Sequence, residues 1–512
     1  MQKWSCVAGI LFGVLGLSVL APESAMAAKA TQNINYDSRS LVTTLWYPDK
    51  LDVIRGVLVF TGGAGSGASG DTRGLTENKF WQRFAEIFGF AILGNQFTGS
   101  YTNAAMGTGQ ALLDALAGLA TMTKHPELAH APLLLEGFSN GGYFSFTFAQ
   151  FLPSRVIAFC LNKSGYAKAP LDAGLLAVPG MLIWGSEEPA TNVPTVIHAL
   201  VQQGRMNHAL WAEVKEWGAQ HEEGAPERIF APFFAEMIAA RYPAGVTPLG
   251  GAVPLIALNE SAGWLADHAD ASVNANLPVI ARFSDYKGDK QAASWLPSEA
   301  LANLGRGFVT KTPIGLTSPS AGAQLDAKQA LPLTATGFVG NESARFLAGS
   351  LVLAAAVGAN AGKATATWTP AAGGVPGLVA LAVDGRGAPT RTSRPVHVAL
   401  YGKPAPQSAP LPTAGAAAAG AGMLDAAGAR NAAAVGGTID ERAGAAEPGG
   451  PASGAAGHAG DGVSDQSSRV GGGCTVVASG SECWSLAAAC LAIWLSWVRM
   501  RIRWPARCDA EG

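Results

Sequence analysis

Gly137, Ser139 and Gly141 alternate within the stretch "LLLEGFSNGGYFSF", Leu133 to Phe146. A serine between two glycines can be a plain turn, and Gly65-Ser66-Gly67 shows how easily such a triplet arises in this chain. Here a run of leucines comes before it, and Gly142 and an apolar segment come after it. Strand, tight turn and helix in that order hold a serine oxygen up as a nucleophile, because the glycines let strand and helix approach closely. A serine alone is a poor nucleophile. It needs a base to take its proton and an acid to orient that base.

The base candidate is His221, in "KEWGAQHEEG", on a glycine-containing loop after the last apolar strand pattern. His198 and His208 sit inside helix or strand patterns and fit less well. The acid candidate is Glu188, three residues past Gly185, which ends the apolar "GMLIWG". Glu187 is the alternate. Catalytic groups gather at the carboxyl edge of a parallel sheet, where this turn should lie. A tetrahedral intermediate also needs backbone N–H donors. Asn140 supplies one, and the "TGGAGSG" loop, where Gly62 or Gly63 lets the backbone approach closely, supplies the other. That loop lacks the Lys-Ser/Thr of a Walker motif and the glycine spacing of a dinucleotide site, so it is not read as a phosphate cradle.

The elements that must position these residues are legible as alternating patterns. "SLVTTLWYP", "RGVLVF", "FAILGNQF", the leucine run, "RVIAFCLNKSG", "GMLIWG" and "HALWAEVKEWG" read as strands. Lys79 to Phe88, roughly Thr108 to Thr123, and "YFSFTFAQFL" read as helices. Strands alternating with helices predict an α/β domain with a mostly parallel sheet, assigned to residues 36–308. "GWLADH" and "DKQAASWLPSEALANLGRGF" are expected to be packing helices and loops of that unit. From 309 to 402 the pattern becomes short alternating strands, which predicts an all-β sandwich. Residues 403–473 are Ala, Gly and Pro with too few large apolar groups to offset chain entropy, and are expected to be a disordered linker.

Taken together, "VFTGGAGSG", "GFSNGG", "GSEEPA" and "GAQH" stand in the order of the α/β-hydrolase superfamily, which residues 36 to about 305 resemble. The resemblance implies a doubly wound sheet, with Ser139 as nucleophile, Glu188 as orienting acid, His221 as base, and Gly63 and Asn140 as oxyanion donors. It implies a serine hydrolase that needs no cofactor or metal, most like secreted carboxylesterases and polyester depolymerases. A peptidase or thioesterase would use the same groups, and a binding protein could be built on the same fold. Two departures stand out: glutamate replaces the commoner aspartate, and Thr61 stands where a histidine is usual. The short gap between Ser139 and Glu188 leaves no room for a cap domain. With the "SPSAGAQL" opening, a Gly-rich turn before "LVALAVD" and an "S-R-P-V" end, residues 309–402 resemble bacterial immunoglobulin-like modules, which implies a spacer or binding role.

Both ends read as addresses. Lys3, an apolar run from Cys6 to Ala21 and Ala25-Met26-Ala27 predict a secretory signal over 1–27. Gly471 to Thr475, an apolar stretch of 15 residues from Trp484 to Val498 and four following arginines resemble a CTERM-type sorting signal at 474–507. Cys474 would be its marked cysteine. That tail implies a transmembrane helix, and a protein anchored at the membrane or processed by a sorting protease. The stretch is shorter than the roughly 20 residues of a full span, and flanking arginines can snorkel. Net charge is −2 with no basic run in the body, so a nucleic-acid partner is not expected. Of six cysteines, Cys160 alone lies in the folded body, as a small core residue. No Cys or His spacing resembles a zinc site.

Overall fold

Alternating strands and helices call for a sheet covered on both faces. The computed structural model of the chain, which describes residues 27–65, 68–165, 171–188, 193–268 and 277–402, contains one. Its strands are β1 (Ala27–Tyr36), β2 (Arg39–Pro48), β3 (Gly56–Thr61), β4 (Phe90–Phe97), β5 (Leu133–Phe138), β6 (Val156–Asn162), β7 (Gly180–Gly185) and β8 (Trp211–Glu216). They lie in the order β1-β2-β4-β3-β5-β6-β7-β8. β1 and β2 are antiparallel, as are β2 and β4, and every pairing from β4 to β8 is parallel. This is a mixed α/β sheet consistent with the α/β-hydrolase fold. The carboxyl ends of β3, β5, β6, β7 and β8 therefore share one edge.

The longer helices are α1 (Lys79–Phe88), α2 (Thr108–Thr123), α3 (Asn140–Phe151), α4 (Val193–Met206), α5 (Glu227–Arg241) and α6 (Glu299–Phe308). α1 shows how local chemistry sets the boundaries. The Asn78 side chain accepts from the Phe80 and Trp81 N–H groups, and the helix stops at Gly89, which turns left-handed at φ 69°.

Several segments differ from the pattern-based expectation, among them α5, a helix that no pattern named, and two strands. The sheet begins at Ala27 rather than near residue 36. β1 is an edge strand that exposes every second side chain, and "KATQNINY" has few of the β-branched and aromatic residues that mark a strand. "GWLADH" is not helical. It contributes β9 (Trp264–Ala266), which pairs with β10 (Ile280–Arg282) on one side and β11 (Ser294–Leu296) on the other. Three residues are too few for a period to show.

Residues 315–401 form two further sheets. β12 (Gly315–Ser318), β14 (Leu331–Thr336) and β17 (Lys363–Trp368) make one, in the order β12-β14-β17. The other contains β13 (Ala323–Asp326), β20 (Val396–Tyr401), β18 (Gly377–Val383), β15 (Ser343–Ala348) and β16 (Leu351–Gly358), in the order β13-β20-β18-β15-β16, with β19 (Pro389–Thr392) beside β18. Leu333, Phe346, Ala380 and Val398 belong to the core between them. The central strand of the second sheet, β18, is buried on its other face too. Val379, Leu381 and Val383 alternate with the inward residues of β18 and join Leu301, Leu304 and Phe308 of α6 in the main core. The β-sandwich is thus packed into the α/β domain through a continuous apolar layer, which a detached spacer would not do. Arg394 adds a hydrogen bond from Nη1 to the Phe308 carbonyl at 2.6 Å.

The linker at 403–473, the segment at 474–507 with Cys474, and all but the last residue of the signal at 1–27 lie outside the described residues. Among the described residues, no helix is long and apolar enough to cross a membrane.

The shared core predicts joint unfolding. Scanning calorimetry of the chain should give one transition for residues 27–402, and Leu381→Ala should lower its stability by about 2–5 kcal/mol. Two separate transitions, with only one moved by Leu381→Ala, would contradict the shared core.

Candidate active site

β5 carries the leucine run into the core and ends where two backbones nearly touch. A β-carbon on Gly137 would lie 2.1 Å from the Gly141 carbonyl oxygen, and one on Gly141 would lie 2.0 Å from that of Thr61. Any side chain at either position would push α3 off β5 and β3. The turn between them leaves Ser139 at φ 53°, ψ −122°, which strains a residue with a β-carbon. The Ser139 N–H donates to the Asn162 carbonyl at 2.7 Å, tying the turn to the end of β6.

The loops that carry Glu188 and His221 are joined by a second close approach. A β-carbon on Gly185 would lie 2.4 Å from the Ala219 carbonyl oxygen. The Glu187 N–H donates to that same carbonyl at 2.9 Å, and the Ser186 N–H donates to the Glu216 carbonyl at 2.9 Å. The exits of β7 and β8 thus move as one piece. Ser139 Oγ lies 3.0 Å from His221 Nε2, and His221 Nδ1 lies 2.8 Å from Glu188 Oε1. The Glu188 side chain is fully buried, whereas His221 keeps 33% of its side chain in solvent. Of the two glutamates named from the sequence, Glu188 meets the imidazole and Glu187 is exposed. Burial pushes the Glu188 carboxyl up, against the opposing pull of the His221 hydrogen bond and the Lys163 charge. A carboxylate so poorly solvated gains most when the imidazole beside it takes a proton.

Both proposed donors lie beside the serine. A β-carbon on Gly63 would stand 3.0 Å from Ser139 Cβ, while one on Gly62 would instead meet the Gly70 backbone. The Tyr101 hydroxyl donates to the Gly62 carbonyl at 2.9 Å and pins that loop. Asn140 opens α3, and a first-turn N–H has no acceptor within its own helix.

Two residues here escaped the sequence reading. Lys163, one residue past β6, has a side chain with no exposure and an ion pair to Glu216 Oε2 at 2.7 Å. Glu216 Oε1 accepts the Ala225 N–H at 2.7 Å, and Asn162 Nδ2 donates to the Glu223 carbonyl at 3.0 Å. These bonds fasten the loop that carries His221. The other is Glu136, whose signal was a charge inside an apolar strand. Burial, reinforced by the negative charges of Glu223 and Glu227, pushes its carboxyl up to about 8. Glu136, Phe138, Gly62 and Glu227 line a cavity of about 600 Å³, with Gln324 and His397 contributed by the β-sandwich. Ser139 and His221 do not line it, so the cavity lies beside the serine rather than over it. Among the described residues, a cluster of metal-ligand type occurs at His198, Glu213 and His268, and none of those is a member of the relay.

No family model matches the chain, and no curated protein matches it. Among solved structures it is similar to S-formylglutathione hydrolase from Staphylococcus aureus, at 12% identity and TM-score 0.30, over 43% of this chain and 99% of that one. It is also similar to fluorophosphonate-binding serine hydrolase F from Staphylococcus aureus, at 10% identity and TM-score 0.31, over 41% and 98%. A likeness to the fibronectin(III)-like modules of CbhA from Clostridium thermocellum has 25% identity and TM-score 0.15, over 17% and 46%. None of these likenesses is close enough to carry a role across to this chain.

Glu136 predicts a pH dependence of stability. Its folded pKa of about 8 stands above the ordinary 4.5, so between those values the folded state binds a proton that the unfolded state has released. The group's contribution is complete below the lower value and is lost as pH rises to the upper one. Glu136→Gln should flatten the fall in melting temperature across that window. An equally steep fall in the variant would reject the assignment.

Proposed function

We propose that this chain is a serine hydrolase, best fitted to carboxylic esters and working through an acyl-enzyme. The observation that carries the reading is the continuous relay from Ser139 Oγ through His221 to Glu188, with a strained serine at the carboxyl edge of the sheet. Ser139 Oγ attacks the acyl carbon while His221 Nε2 takes its proton. Glu188 stabilises the imidazolium formed. The oxyanion accepts hydrogen bonds from the Gly63 and Asn140 N–H groups, which stand ready before reaction. His221 then returns the proton to the departing alcohol. In the second half it deprotonates a water that attacks the acyl-enzyme, and Ser139 is regenerated. The partly exposed imidazole supports a site open to small or polymeric ester substrates.

The reading extends to location. The Cys6 to Ala21 run with Ala25-Met26-Ala27 supports export, and the Cys474 tail supports membrane anchoring or processing by a sorting protease. Deleting residues 471–512 should move the protein from the membrane to the soluble fraction, and unchanged fractionation would refute the anchor.

Ser139→Ala should lower p-nitrophenyl ester hydrolysis by at least about 10³-fold with unchanged circular dichroism. A fluorophosphonate probe should add its mass to the Ser139 peptide. Retained turnover in the variant rejects the nucleophile, and the lack of an adduct favours a binding protein on this fold.

A further inference from the structure

We propose that His198, Glu213 and His268 form a binding site for one divalent metal ion of the zinc type, separate from the serine relay. The three residues come from three elements: His198 from α4, Glu213 from β8, and His268 just past β9. One atom of each converges on a common point. His198 Nδ1 lies 2.6 Å from His268 Nε2 and 3.3 Å from Glu213 Oε2, and His268 Nε2 is in direct contact with that same oxygen. The two rings meet edge to face at an interplanar angle of 69°, so their nitrogens are aimed inward rather than stacked.

Protons alone do not satisfy this triangle. If both imidazoles donate to Oε2, two N–H groups face each other across 2.6 Å. If His198 donates to His268 instead, the His268 lone pair faces a carboxylate lone pair. A proton moved to the carboxyl leaves it serving one nitrogen and not the other. Every arrangement sets like against like at one side. A cation at the centre accepts all three lone pairs at once.

The chemistry of the donors fits zinc. Two neutral imidazoles and one carboxylate make a three-ligand set that leaves a fourth position for water. Bonds of about 2.0–2.2 Å at tetrahedral angles would set the ligand atoms about 3.3 Å apart. One side of the triangle already has that length, and the others reach it by small ring movements. The carboxylate is oriented from behind, as metal ligands usually are. Its side chain is fully buried, and Oε1 accepts from Trp184 Nε1 at 2.7 Å, which leaves Oε2 for the histidines. His198 and His268 keep 34% and 16% of their side chains in solvent, so an ion has a way in. The Glu213 N–H also donates to Ser294 Oγ at 3.0 Å, placing β11 against β8. The ion would staple the β9–β11 sheet to the edge of the large one.

The test uses the full, untagged chain, stripped with chelator, incubated with Zn²⁺, desalted and measured by plasma mass spectrometry. Wild type and His208→Ala should each keep about one zinc per chain. His198→Ala and His268→Ala should keep at least about tenfold less. Co²⁺ loading should give intense visible absorption in the first pair and not in the second. Circular dichroism checks folding, and His198→Ala, on a partly exposed helix face, carries the result if His268→Ala unfolds. Equal retention in all four chains, or no retention in wild type, would overturn the proposal and leave a hydrogen-bonded cluster only.

Discussion

The Lys163–Glu216 ion pair is the constraint on which the serine site depends. A full positive charge sits in a position with no exposure, and its partner is only 12% exposed. Such a pair adds little net stability over an apolar core, but losing one member leaves an uncompensated buried charge, at a cost of about 3–5 kcal/mol. The pair therefore cannot separate, and three pieces of backbone cannot separate with it: the end of β6, the end of β8 and the chain through Ala225. His221 lies on the stretch between Glu216 and Ala225, so its loop is short, tied at both ends and aimed at the serine. Fixing the loop in this way lets the imidazole remain partly exposed without wandering.

Other fasteners act on the same edge by exclusion rather than attraction. Gly137 with Gly141, and Gly185 with the Ala219 carbonyl, are places where backbone occupies the volume a side chain would need. The first fixes the height of Ser139 above the sheet. The second fixes the spacing between the two loops after β7 and β8, so Glu188 and His221 share one frame. Glu188 enters this frame with a fully buried side chain hydrogen-bonded to the imidazole.

Much of this was legible in the sequence because it is local. The strand-turn-helix around Ser139, the glycine that ends β7 and the order serine, glutamate, histidine all lie within short windows where periodicity and turn chemistry act. The choice between Glu187 and Glu188 was not local, since it turns on which side chain points inward. Lys163 reads as a lysine after a strand, and nothing nearby reveals a partner 53 residues on. His198, Glu213 and His268 are spaced by 15 and 55 residues, far from any metal-ligand motif. β1 and β9 were missed because one is polar along its open face and the other is three residues long. The unbroken apolar run of β18 did carry a signal: a strand with one wet face would alternate, as β14 does.

That doubly buried strand has a consequence for the order in which the molecule can be made. Every residue of the serine relay has been synthesised once His221 leaves the ribosome. The part of α6 that packs against β18, however, stays uncovered until Val379, Leu381 and Val383 emerge to cover it. A chain read from its amino end holds its chemical groups long before it holds a closed core. Through that interval it must be kept from sticking to its neighbours. The β-sandwich is the last of the described parts to arrive, and its arrival completes the fold of the part that came first.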